Sequence, residues 1–263
     1  MSAARVNSQI SQWQKSIDWE SPACNFCGNH ENPFYQETKD KRFHGRTLRL
    51  VKCPDCGLIY ADPRPTTQSY IDVYKTLWAE DTRKYKFDRR GVLGWHSKMI
   101  NEALEYHPNA KSLFDVGTGA GTIMIAGRKL GIRVAGNDLN KPACDWLKKR
   151  GYTIYNTPTI DLKIKTHFDI QFCNDYIEHT NTPYDDLKWI YNHTRRGGIM
   201  SLKTMYLDSE EYTKNKEKWH MLSGFHTHYF YQDVLKRMIE AVGFKIINVR
   251  LNVEIIHIIA RKE

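Results

Sequence analysis

From Lys111 to the C-terminus, short apolar, β-prone runs alternate with segments whose apolar residues recur every three or four positions, a change of period that predicts strands and helices in turn. Strands are predicted over Ser112–Val116, Ile132–Asn137, Thr153–Tyr155, Phe168–Cys173 and Ile199–Thr204. Helices are predicted from Gly121 to Leu130, from Lys141 to Arg150 and from Tyr184 to His193. Strict alternation with short connections implies an α/β fold with a doubly wound, mostly parallel sheet. The tail breaks this rhythm. A helix over Gln232–Val242 stops at Gly243, and FKIINVR and VEIIHIIA are then joined by Leu251 and Asn252 alone. That link is too short for a parallel crossover, so the sheet ends in an antiparallel hairpin.

Upstream, Thr66–Glu80 carries Tyr70, Val73, Tyr74, Leu77 and Trp78 on one helical face, and a second helix is predicted over Val92–Tyr106. These helices link the N-terminal third to the α/β unit and are placed to roof its ligand cleft. Before them, CGLIYADPRPT ends in two prolines that stop any regular element. The expected organisation is an N-terminal arm (1–20, polar with Trp13, Ile17 and Trp19), a small cysteine-bearing unit (21–62), a helical linker or cap (63–108) and the α/β domain (109–263). Met205–His228 is long and polar and contains Trp219. With no clear element of its own, it reads as a lid or substrate-binding segment.

The 263 residues are 41% hydrophobic and 26% charged, enough for one full α/β core with something small beside it. No apolar run approaches the roughly 18 residues that cross a bilayer. The first residues, MSAARVNSQISQWQKS, lack the apolar core of a signal peptide, so a cytoplasmic protein without membrane contact is expected. A net charge of +9 raises nucleic acid as a partner. The excess is spread out, however: 8 basic against 7 acidic residues over 1–62, 8 against 6 over 63–108, and 23 against 17 over 109–263. Its one short cluster, RKYKFDRR (Arg83–Arg90), reads as a solvated helical face rather than a phosphate track.

Four of the six cysteines fall in two C-x-x-C pairs, Cys24/Cys27 and Cys53/Cys56, separated by 25 residues that suit a hairpin. Each pair presents two thiolates on a tight turn, and two such turns complete the tetrahedral four-sulfur cage that Zn2+ prefers. Gly28 and Gly57 follow the pairs, as the backbone turn of a knuckle requires. A closed four-cysteine site keeps no position for substrate or water, so the expected zinc is structural. Four thiolates around Zn2+ add −2 and turn residues 1–62 from +1 to −1, a poor binder of phosphate. His30 and His44 read as surface residues, and Cys144 and Cys173 as buried cysteines without chemistry.

The first predicted βα turn, FDVGTGAGT (Phe114–Thr122), holds glycines at 117, 119 and 121 with Asp115 just ahead of them. A dinucleotide loop, G-x-G-x-x-G, needs its third glycine where Thr122 stands. Asp115 would repel a pyrophosphate and favour a ligand carrying an ammonium and a sulfonium. An acid followed by G-x-G-x-G resembles the first motif of the class I S-adenosylmethionine-dependent methyltransferases. The resemblance runs over Lys111–Glu263, through a second acid at Asp138, the Glu178-His179 pair of NDYIEH and the double glycine of RRGG. It implies S-adenosylmethionine as cofactor, with Asp115, Gly117, Thr118, Gly119 and Gly121 against it. Asp138 would take both ribose hydroxyls with Leu139 beside it, Asn156 would stand at the adenine, and Asn174, Asp175 and Tyr176 would meet the methionine end. Separately, CPDCGLIYADPRPT resembles the end of the zinc ribbon found ahead of methyltransferase domains in sugar, capsule and natural-product pathways.

Methyl transfer from a sulfonium is an in-line displacement, so such an enzyme positions the acceptor and, for a hydroxyl, removes a proton. Histidine suits that task near neutral pH, and His179, His226 and His228 are the candidates nearest the expected sulfonium. The polar composition of Met205–His228 favours O-methylation of a small polar acceptor such as a sugar, nucleotide-sugar or natural-product intermediate. Two other readings compete. An rRNA or tRNA methyltransferase is opposed by the near-neutral ribbon and the lack of alternating aromatic and basic residues. A non-catalytic S-adenosylmethionine-binding protein is opposed by the retention of both acids and all three glycines.

Overall fold

A computed structural model describes residues 17–40, 46–77 and 90–263. Trp13, Trp78 and most of the basic cluster (83–89) lie outside the described residues. The N-terminal third comprises strands β1 (Trp19–Glu20), β2 (Phe34–Asp40), β3 (Arg46–Lys52), β4 (Ile59–Ala61) and β5 (Arg64–Pro65), followed by helices α1 (Thr67–Leu77) and α2 (Arg90–Tyr106). The α/β unit then runs β6 (Ser112–Val116), α3 (Thr122–Lys129), β7 (Arg133–Asn137), α4 (Lys141–Lys148), β8 (Thr153–Tyr155), β9 (Phe168–Asn174), α5 (Pro183–His193) and β10 (Thr194–Met205). It closes with α6 (Glu210–Asn215), β11 (His228–Tyr229), α7 (Gln232–Ala241), β12 (Phe244–Leu251) and β13 (Ile255–Lys262). Among the described residues no helix is long and apolar enough to cross a membrane.

Seven strands form the main sheet in the order β12-β13-β10-β9-β6-β7-β8. The five strands from β10 to β8 are parallel, and β13 runs antiparallel to both β10 and β12, as the two-residue link demands. All of β6 is buried, which a strand covered by helices on both faces requires. At the amino end of the sheet, Asp169 Oδ2 accepts hydrogen bonds from Lys111 N, Ser112 N and Ser112 Oγ (2.8, 2.9 and 2.8 Å), fixing β9 against β6. The order in which successive strands are added reverses between β6 and β9, and ligand sites of such sheets form outside the carboxyl ends of strands at that point.

The ribbon is less separate than expected. Strands β2 and β3 form the predicted hairpin and β4 pairs with β3, but the fourth strand of this sheet is β11, with His228 opposite Tyr60 and Tyr229 opposite Ile59. One apolar cluster runs from Val51, Leu58 and Tyr60 of the ribbon to Phe230, Val234 and Met238 around α7. The expected lid, Met205–His228, is also packed rather than free. Its Tyr212, Trp219 and Leu222 are buried with Leu50 and Ile59 of the ribbon, and Trp219 Nε1 donates to Glu254 at 3.2 Å. Aromatic side chains that find an apolar partner sheet bury themselves there, whatever the polarity of their neighbours in sequence.

The ribbon and the main sheet are therefore expected to unfold as one unit. Tyr229→Ala removes a ring that is 1% exposed and whose hydroxyl bonds Ser223 N and O. It is expected to cost roughly 3–5 kcal/mol in urea denaturation, with a single transition by fluorescence and circular dichroism. Two transitions, the later one unshifted by the substitution, would show that the joint carries no load.

Candidate active site

At the carboxyl ends of β6, β7 and β9 lies a cavity of about 450 Å³, covered by Thr67, Tyr70 and Tyr74 of α1. The first turn builds its floor. Gly117, Gly119 and Gly121 have φ of 67°, 51° and 76°, the left-handed region that glycine enters without penalty. At two of them space is also short. A Cβ on Gly117 would lie 2.3 Å from Cδ2 of Tyr176, and one on Gly121 would lie 2.6 Å from Leu147. Gly117 and Gly119 face the cavity, whereas Gly121 packs on α4. Thr118 works from behind: its N–H donates to Asn137 O (2.9 Å) and its hydroxyl to Asp115 Oδ2 (2.8 Å). Asp115 and Thr118 thus brace the loop rather than line the cavity.

At the end of β7, Asp138 and Leu139 line the cavity. Asp138 Oδ2 accepts from Gly119 N at 2.6 Å and Oδ1 from Asn140 N at 2.7 Å, so the second acid holds the glycine loop to the next strand. Asn140, not Asp138, caps α4, its side chain accepting from Ala143 N. Asn156 is spent on the backbone, donating to Asp138 O at 2.8 Å, and it does not reach the cavity. The residues after β8 that do are Pro158, Ile160 and Asp161. Asp161 closes the same YNTPTID run, three residues beyond that proline.

The end of β9 supplies the third wall. Asp175 adopts φ 49°, uncommon for a residue with a side chain, and its carboxylate meets Lys203 Nζ at 3.5 Å. The Tyr176 ring lies against Gly117, and its hydroxyl sits in a buried relay: Asn137 Nδ2 donates to Thr159 Oγ1, which donates to the Tyr176 oxygen, which donates to Asp186 Oδ2. Asp186, on α5, lines the cavity and carried no signal in the sequence beyond its place in the first turn of a helix. Asn137 Oδ1, Asp186 Oδ1 and both polar side-chain atoms of Asn174 are buried without a protein partner. Asn174 stands at the strand end but outside the cavity lining.

The three candidate histidines part company. His179 lines the cavity and its Nδ1 donates to Phe225 O at 3.0 Å. His226 stacks edge-on against it with ring centroids 4.6 Å apart, its own Nδ1 donating to Met221 O at 2.6 Å. His228 lies in the joint with the ribbon, between Thr180 O (2.9 Å) and the Arg64 guanidinium (3.3 Å). Burial, with the Arg64 charge beside it, pushes His228 well below the usual imidazole range, so it stays neutral and structural.

Asp138, Asp161, Asp175 and Asp186 line the cavity and no described lining residue is a lysine or arginine, although Lys203 pairs with Asp175 from outside the lining. Burial raises the carboxyls of Asp115 and Asp186 to about 7 and that of Asp138 above its ordinary value. Glu178, buried behind His179 and bonded by Thr204 Oγ1 at 2.9 Å, is raised to about 8 by burial and then by the nearby Asp175.

The second feature expected from sequence is also assembled. Cys24, Cys27, Cys53 and Cys56 come together with all sulfurs within 4.8 Å of one another, Cys24 to Cys56 and Cys27 to Cys53 at 3.4 Å. Gly28 N donates to Cys24 O and Gly57 N to Cys53 O, the two knuckle turns, with φ of 79° and 78° at the glycines. This cluster fits a zinc ribbon.

A methyltransferase-domain family model matches residues 88–249, covering more than half of the chain. The chain belongs to the class I S-adenosylmethionine-dependent methyltransferases. Among solved structures, the methyltransferase is similar to a 1,6-didemethyltoxoflavin N1-methyltransferase from Burkholderia thailandensis, with 16% identity over 82% of this chain and 95% of that one and a TM-score of 0.55. It is also similar to magnesium protoporphyrin IX methyltransferase from Synechocystis PCC 6803, at 14% identity over 75% and 100% of the two chains, with a TM-score of 0.60. A possible histamine N-methyltransferase from Thermotoga maritima shares 19% identity over 72% and 100%, with a TM-score of 0.51. The first two were determined with S-adenosylhomocysteine bound. At these identities the likeness is one of fold. No curated protein matches the methyltransferase in sequence.

The raised carboxyls set a pH dependence. In the unfolded chain Asp115 ionises near 3.8, so between about 4 and about 7 the folded protein holds a proton that the unfolded chain has released, and stability falls as pH rises through that window. Asp115→Asn keeps the acceptor for Thr118 and removes this burden. Calorimetry of the ligand-free protein should show a melting temperature higher by on the order of 5 °C at pH 8 and little changed at pH 4.

Proposed function

We propose that this methyltransferase binds S-adenosylmethionine in the cavity under α1 and transfers its methyl group to an oxygen of a small polar acceptor. The observation that carries the reading is the charge of the lining, four carboxylates and no lysine or arginine among the described residues. A cofactor with an ammonium and a sulfonium complements such a wall, and a pyrophosphate does not. Both oxygens of Asp138 keep a lone pair for ribose hydroxyls after serving Gly119 and Asn140. Leu139 and Ile160 offer apolar faces to the adenine, and Asp161 offers an acceptor to its amine.

When bound, the cofactor supplies an activated methyl group, which leaves the chain to seat the acceptor, exclude water and dispose of a proton. Tyr70 holds α1 over the cavity by donating to Gly224 O at 2.9 Å. The acceptor's share of the space lies between α1 and the polar stretch Thr180–Thr182, and its hydroxyl loses its proton at the His179 end. The four cysteines are read as the ligands of a structural Zn2+ that secures the ribbon, and through β4 and β11 the loop that carries Glu178. Against an RNA acceptor, the basic hollow formed by Arg133, Lys165, Arg195, Arg196 and Lys262 lies at the amino ends of the parallel strands, away from this cavity.

Isothermal calorimetry should detect S-adenosylmethionine and its demethylated product but not NAD, and Asp138→Ala should weaken binding by about 1–3 kcal/mol through lost charge-assisted hydrogen bonds. Small hydroxylated compounds, rather than tRNA or rRNA, should support release of S-adenosylhomocysteine. Tight NAD binding would overturn the cofactor assignment, and turnover on RNA alone would overturn the acceptor class. Metal analysis should give one zinc per chain, lost in the Cys53→Ser/Cys56→Ser double variant; zinc retained by that variant would exclude the ribbon as its site.

A further inference from the structure

We infer that Glu178, His179 and His226 form a second metal site, for a divalent cation bound by mixed nitrogen and oxygen ligands, at the edge of the cavity that His179 lines. One carboxylate oxygen and two imidazole nitrogens lie within 4.8 Å of one another. Metal–ligand bonds of roughly 2.0–2.2 Å put neighbouring ligand atoms about 3–3.4 Å apart, so closure on an ion takes side-chain shifts of about 1 Å. The ligands are already oriented for it. The carbonyls of Phe225 and Met221 can only accept, so each histidine carries a proton on Nδ1, which makes Nε2 the nitrogen with a lone pair that a metal could take. Hydrogen bonds of this kind to the far ring nitrogen fix the tautomer at metal-binding histidines. Thr204 Oγ1 does the same for Glu178. The two loops that bring the ligands are locked together, because Thr227 N and His228 N both donate to Glu178 O (2.8 and 3.2 Å).

Two imidazoles and one carboxylate suit Zn2+, Fe2+ or Mn2+ better than Ca2+, which favours oxygen ligands, and they leave positions for acceptor oxygens. The role of the ion rests on the methyl-transfer reading. An acceptor hydroxyl bound to it ionises near neutral pH and releases its proton to solvent. The oxygen forms its bond to the methyl carbon as the carbon–sulfur bond breaks, leaving a neutral thioether, and the ion keeps its oxidation state. An acceptor with two neighbouring hydroxyls gains most, since both can reach one ion.

The test uses the full zinc-containing chain. Titration of Mn2+ followed by electron paramagnetic resonance should show one tightly bound ion per chain, and equilibrium dialysis against Zn2+ should add one equivalent to the ribbon's own. Glu178→Gln, which keeps the Thr204 hydrogen bond, and His226→Asn should each weaken Mn2+ binding at least tenfold while S-adenosylmethionine affinity stays within twofold. A wild-type chain that takes up neither ion beyond the four-cysteine site, or variants that bind Mn2+ as well as wild type, would overturn the site. S-adenosylmethionine binding without metal uptake fails this inference alone. Metal uptake without S-adenosylmethionine binding fails the cofactor reading and leaves the ion site standing.

Discussion

The structure depends on where three residues, Thr227 to Tyr229, are held. On one side their backbone pairs with Tyr60 and Ile59 of the ribbon, and on the other Thr227 N and His228 N bind the carbonyl of Glu178 beside the cavity. The His228 ring, neutral and buried, closes the joint between Thr180 O and Arg64. A single short segment thus serves as sheet edge for the ribbon and as a brace for the Glu178 backbone beside the cavity. Helix α1 is tied to it as well, since Tyr70 over the cavity donates to Gly224 O, in the loop just before this segment.

The cavity itself shows how one element can do mechanical and electrostatic work together. Asp138 ties the glycine turn to the second strand, and Tyr176 fills the space that a side chain at position 117 would need. Each contact shapes the floor while leaving negative charge at its rim. Buried carboxylates such as Asp138 and Asp186 disfavour their own ionised form, so a cation brought close to them favours that form. Binding selectivity is therefore stored as a cost to the ligand-free fold.

Much of this was legible in the sequence because the signals are local. Ser112–Val116 and Thr153–Tyr155 match the predicted strands to the residue, and the two-residue link before Val253 dictated the antiparallel ending. Spacing and motif single out the glycine turn, both cysteine knuckles, Asp138, Leu139, Tyr176 and His179, and the structure brings those last four residues to one cavity. What escaped depends on partners far away in the chain. A two-residue strand such as β11 has no periodicity to read, and the burial of Tyr212 and Trp219 needs Leu50 and Ile59 to be known. Strand β10 begins at Thr194 rather than Ile199, because Gly197, at φ 77°, takes up an irregularity in the pairing instead of ending it. After β8, Asn156 donates its amide to Asp138 O, and the residue of this loop whose carboxylate reaches the cavity is Asp161, which no local signal marks.

The bonds at Asp169 act at the far end of the sheet from all of this. By gripping two consecutive backbone N–H groups and the Ser112 hydroxyl, that carboxylate leaves β6 and β9 one possible alignment. A slip of one residue would turn every side chain to the opposite face and carry the strand tip along by about 3.3 Å. The distance between Gly117 and Tyr176 is therefore decided four pairings away, where nothing reacts. Asp169 behaves as the fixed jaw of a vice whose moving jaw is the cavity floor, and substitutions there should be felt as misalignment of the working end before they are felt as loss of fold.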